Sequence, residues 1–75
     1  MSGPSERLDP AITVNGERRA VAAGTSALDV VAELGLAGRP VAVEVNERVV
    51  PRRELSACML HDGDRLEIVT LVGGG

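Results

Sequence analysis

The apolar positions of this chain alternate between two spacings. In AITVNGERRAV, Ile12 and Val14 flank Thr13 with the period of two that marks a strand with one buried face. Asn15-Gly16 follows, the strongest short signal for a hairpin turn. Arg18 to Val21 then form the expected return strand. The period changes in AAGTSALDVVAELG, where Ala27, Val30, Val31 and Leu34 fall on one face of a helix and Asp29 and Glu33 on the other. Ser26 suits the N-cap, Asp29 three residues later completes a capping box, and Gly35 suits the position that ends the helix.

Period two returns in RPVAVEVNERVVP. Val41, Val43 and Val45 share a face, with Ala42 and Glu44 opposite. Asn46-Glu47 reads as a turn and Val49-Val50 as a short strand, ended by Pro51, which has no N–H to give a ladder. RRELSACML is short and lacks a clear period, and is expected to form one helical turn. HDGD is a turn, because Asp bonds its own backbone and Gly supplies positive φ. In the last strand, RLEIVTLV, Leu66, Ile68, Thr70 and Val72 share one face and Arg65, Glu67, Val69 and Leu71 the other. Hairpin, helix, hairpin and closing strand make an α+β chain with one helix packed across a small mixed sheet, the β-grasp arrangement. Residues 1–10, with Pro4 and Pro10, are expected to be a flexible N-terminal arm, residues 11–72 the β-grasp domain, and residues 73–75 a flexible glycine tail.

Composition narrows the function. The 75 residues contain no Phe, Tyr or Trp, so aliphatic side chains alone must fill the core. Stacking of bases on aromatic rings is thereby excluded. The net charge of −3 disfavours a phosphate-backbone partner, so no nucleic acid is expected. All eight basic residues are Arg, which leaves no ε-amine for a Schiff base or for acyl transfer within the chain. The single cysteine, Cys58, excludes an internal disulfide and a cysteine-based metal cage, and fits a reducing compartment. MSGPSERLDP lacks the apolar stretch of a secretory signal, and no apolar run approaches the roughly 18 residues of a membrane span. A soluble cytoplasmic protein with no membrane contact is expected.

ITVNGE, SALDVVAELGL, VAVEVNERVVPRRE, DGDRLEIV and the final VGGG, in that order and spacing, resemble the ubiquitin-like sulfur carriers of thiamine biosynthesis. The resemblance runs from about Ile12 to Gly75. It implies a carrier rather than an enzyme, with no catalytic residue and no metal or cofactor of its own. It implies that an E1-like adenylating enzyme uses ATP and Mg²⁺ to activate the carboxylate of Gly75. Sulfur from a persulfide donor then gives a C-terminal thiocarboxylate, which thiazole synthase consumes. Gly73 and Gly74 would be the tether. The small subunit of molybdopterin synthase shares fold and tail and is the nearest alternative. An RNA- or nucleotide-associated β-grasp module, suggested by AAGTSALDVV, and a ubiquitin-like modifier that conjugates to lysines are alternatives of other classes.

The remaining candidates divide on local chemistry. Val69 and Leu71 break the polar pattern expected of an outer strand face. Either an edge loop or the N-terminal arm covers them, or, with Val72, they form the partner-binding patch that leads into the tail; the second is the expectation. A reactive thiol needs nearby cations or a helix N-terminus, and Arg52 and Arg53 alone are thin support, so Cys58 reads as structural. His61 belongs to the HDGD turn, and the arginine pair to a solvated surface.

Overall fold

The structure is a computed structural model that describes residues 9–71; the expected arm, apart from Asp9 and Pro10, and Val72 with the three terminal glycines lie outside the described residues. β1 (Ala11–Val14) and β2 (Glu17–Ala20) form the first hairpin. Asn15 and Gly16 both take positive φ, 50° and 89°, as a two-residue turn matched to strand twist requires. α1 (Ala27–Glu33) starts at the expected capping box. The Asp29 N–H donates to Ser26 Oγ at 3.1 Å, and the Ser26 N–H donates to Asp29 Oδ2 at 2.9 Å. Gly35, at φ 79°, ends the helix. Ala27, Val30 and Val31 are buried, as the helical spacing requires, and Leu34 is half-buried.

β3 (Val41–Val45) and β4 (Arg48–Val49) form the second hairpin. Val50, expected in the short strand, lies just past it, although its N–H still donates to the Val43 carbonyl at 2.9 Å. The region expected to hold one helical turn contains a longer 3₁₀ helix, Arg52–Ala57, which buries Leu55. Leu60 is also buried, and its N–H donates to the Thr25 carbonyl at 2.9 Å, tying this segment to the start of α1. In the His61–Asp64 turn the His61 N–H donates to Asp64 Oδ2 at 2.8 Å, and Gly63 sits at φ 90°.

β5 (Arg65–Thr70) closes the fold and occupies the middle of the sheet, whose strand order is β2-β1-β5-β3-β4. It runs parallel to β1, with Thr13 opposite Arg65 and Val14 opposite Leu66. It runs antiparallel to β3, from Val41 opposite Thr70 to Val45 opposite Leu66. This is the ubiquitin-like β-grasp. Ile12, Val43, Leu66 and Ile68 from the sheet meet Val30 and Val31 of α1 in one buried cluster. Each fully buried aliphatic side chain contributes about 1.5–3 kcal/mol. Thr70 keeps the inward phase of β5 but lies beyond that cluster and is exposed. No helix of the described residues is long and apolar enough to cross a membrane.

Candidate functional site: the last strand and the outer sheet face

The inward phase of β5 is set by Leu66 and Ile68, which are 1% and 5% exposed. Alternation then turns Arg65, Glu67, Val69 and Leu71 to the face away from α1. Val69 is 56% exposed and Leu71 51%. Ala42, the cross-strand partner of Val69, is exposed on the same face. The Leu71 N–H donates to the Pro40 carbonyl at 2.9 Å, so the ladder to β3 holds this last described residue. The outer face thus has two ends. Ala42, Val69 and Leu71 make an apolar end next to the C-terminal residues. Glu44 and Glu67, directly opposite each other, make an acidic one. Val72, Gly73, Gly74 and Gly75, also expected to serve the site, lie outside the described residues.

Two asparagines contribute what the sequence pattern did not reveal. Both were legible as turn residues, and both sit at positive φ, 50° for Asn15 and 53° for Asn46. Each also reaches across to β5. Asn15 Oδ1 accepts from the Ile68 N–H at 2.8 Å, and Asn15 Nδ2 donates to the Ile68 carbonyl at 3.1 Å. Asn46 Oδ1 accepts from the Arg65 N–H at 3.0 Å, and its Nδ2 donates to Asp64 Oδ1 at 3.0 Å. The central strand is gripped near both ends by side chains from the flanking hairpins. Such contacts span more than fifty residues in one case, and no local spacing encodes them.

Cys58 is half-buried against the core, beside an open pocket of about 450 Å³ lined with Val45, Val49 and Glu54 among others. Burial, with the carboxylates of Asp64 and Glu54, pushes its thiol pKa up. That is the opposite of what a nucleophilic thiolate needs. His61 is exposed, with Nδ1 3.9 Å from Asp64 Oδ2, and its turn is its evident role.

The ThiS family model matches residues 12–75. Thiazole synthase of Paramagnetospirillum magneticum is 41% identical over 64 residues, covering 85% of this chain and 20% of that protein. Thiazole synthase of Magnetococcus marinus gives the same identity and coverage. The chain therefore spans about a fifth of the length of these curated relatives. Among solved structures, the thiamine biosynthesis protein (ThiS) of Geobacter metallireducens superposes with a TM-score of 0.72 at 32% identity, covering 87% of this chain and 99% of that one.

Proposed function

This chain belongs to the ThiS family, the ubiquitin-like sulfur carriers of thiamine biosynthesis, and from that premise we propose that the carboxylate of Gly75 is the group that carries the sulfur. The observation that carries the reading is the course of β5. The central strand of the sheet runs toward Val72-Gly73-Gly74-Gly75, with an exposed apolar patch at its exit. A partner that docks on Ala42, Val69 and Leu71 would meet the glycines next.

A carboxylate resists nucleophiles. Attack of its oxygen on the α-phosphate of ATP, held with Mg²⁺ by an E1-like partner, expels pyrophosphate and gives a mixed anhydride with AMP as leaving group. The terminal sulfur of a persulfide then attacks the acyl carbon, and AMP departs. A further thiol supplies the two electrons that cleave the sulfur–sulfur bond, which leaves the thiocarboxylate and a disulfide. Thiazole synthase is the proposed acceptor. Glycine suits every step at the terminus, since it has no Cβ to clash in a narrow channel and accepts φ of either sign. The chain itself contributes the acyl group and the docking face. Transition-state stabilisation falls to the partners.

The test is the intact mass of the protein before and after incubation with an E1-like enzyme, ATP, Mg²⁺ and a persulfide source. The first spectrum checks that Gly75 is the free C-terminus that the reading requires. The second should show one oxygen exchanged for sulfur, located on Gly75 by fragmentation. A chain lacking Gly74 and Gly75 should fold and stay unmodified. Sulfur found on Cys58, or on the truncated chain, overturns the reading.

A further inference from the structure

The strand that leads to the terminal glycines outruns its neighbour on one side. β1 stops at Val14, opposite Leu66, and the hairpin turn carries the chain away. β5 continues to Thr70. The Asn46 N–H donates to the Arg65 carbonyl at 2.7 Å and the Leu71 N–H to the Pro40 carbonyl at 2.9 Å. Odd-numbered residues of β5 therefore turn their backbone groups to β3, and Leu66, Ile68 and Thr70 turn theirs to the β1 side. The Leu66 carbonyl is met there by the Asn15 N–H at 2.9 Å. At Ile68 no backbone is left to pair with. The Asn15 side chain stands in for it, accepting at 2.8 Å and donating at 3.1 Å as the next residue of a strand would. Among the described residues nothing on that side meets the backbone of Thr70. Among the described residues, Asn15 is the last grip on that edge of β5.

We infer that Asn15 is a positioning residue for the chemistry at the C-terminus: with the ladder to β3, its amide fixes the place of the end of β5, from which the terminal glycines follow in the chain. The inference rests on the function proposed above. Four residues separate Leu71 from the carboxylate of Gly75, a reach of at most about 13–14 Å at 3.3–3.6 Å per residue. With so short a reach, the place of Leu71 bounds where the carboxylate arrives. A displacement of about 1 Å at a reacting group can cost on the order of a hundredfold in rate. The turn itself does not need the amide, because Gly adopts a φ of 50° without strain.

That separation makes the experiment decisive. Asn15→Gly and Asn46→Gly each keep a turn-compatible backbone and each delete one grip on β5, near its exit and at its start. Both full-length variants are melted, then assayed for pyrophosphate release with an E1-like enzyme, ATP and Mg²⁺ at a temperature where both are fully folded. Asn15→Gly should lower kcat by about tenfold or more with KM within about twofold, because docking survives and delivery does not. Asn46→Gly should leave both constants within about twofold of the parent chain. Amide exchange at Ile68 to Leu71 should quicken in the first variant alone. Unchanged kcat in Asn15→Gly overturns the inference, and so does an equal fall in both variants, which would mark a general loss of stability. A parent chain that releases no pyrophosphate overturns the proposed function itself, and Asn15's role in the reaction falls with it.

Discussion

Cys58 has the chemistry of a nucleophile and the surroundings of a packing residue. Its thiol pKa lies above the usual range, first because of burial and then because of the nearby carboxylates of Asp64 and Glu54. A raised folded pKa favours the neutral thiol in the native state. The stability it brings is complete below the unfolded thiol range and is lost as pH climbs through the folded value. The sequence makes this unusually clean to observe. With no Lys and no Tyr, no other side chain titrates in that alkaline window. Melting temperatures of the parent chain and Cys58→Ser, compared at about pH 7 and about pH 10, should therefore draw together at the higher pH. A gap that widens there would mean that the thiolate is stabilised by the fold. In the same variant, sulfur loading should be unchanged, and in the parent chain alkylation at neutral pH should be slower than for an unfolded peptide. The sequence placed Arg52 and Arg53 near Cys58, but in the structure the charges that act on its thiol are the carboxylates of Asp64 and Glu54.

The elements differ in how plainly the chain declares them, and the difference is one of locality. α1 was legible to the residue at its start, because a capping box is a contact across three positions and the buried stripe repeats every turn. The hairpin turns were legible for the same reason. The 3₁₀ helix was not, since Leu55 and Leu60 reach the core five positions apart, on no helical or strand period. The grips of Asn15 and Asn46 on β5 were hidden behind turn roles that already explained those residues. Two predictions belong to this scale. Val31 and Val43, 2% and 1% exposed in one cluster, join helix to sheet. Truncating either to Ala should cost about 2 kcal/mol, at the foot of the 2–5 kcal/mol range seen for larger aliphatics. With stability of roughly 0.05–0.15 kcal/mol per residue, that is a large share of the total. A melting curve left in place would contradict the assigned helix face. Glu47, at φ 70°, occupies a turn position where a side chain is strained. Its ion pair with Arg65 at 3.7 Å is exposed and worth little. Glu47→Gly should therefore raise stability by about 0.5–1 kcal/mol in a denaturant titration. A lower midpoint would show that the pair outweighs the strain.

For the whole molecule, the order of strands decides what the sequence could not. Pairing between β1 and β5 joins residues about fifty positions apart, so nothing local says that the last strand is the central one. Yet that placement gives the outer face its character, because it sets β3 beside β5 from Val45 opposite Leu66 to Val41 opposite Thr70. Val69 and Leu71 accordingly stand beside Ala42 as one apolar surface, while Leu28, 41% exposed, projects from α1 on the other side of the sheet. If an adenylating partner, as proposed, reads the surface at the end of β5, these two sides must behave differently. Burying one aliphatic side chain at an interface is worth about 1.5–3 kcal/mol, or roughly ten- to a hundredfold in affinity. Leu71→Asp should weaken binding by that factor. Leu28→Asp, an equal change of polarity at a similar exposure, should leave it within about twofold, and an acidic residue in the first turn even suits the helix dipole. Both variants are first shown to melt like the parent chain, then titrated against an E1-like enzyme by calorimetry. Equal affinities would mean that the partner reads another surface, and that Val69 and Leu71 are apolar for a reason unconnected with docking. A loss confined to Leu71→Asp would tie recognition to the end of β5, as the proposed function requires.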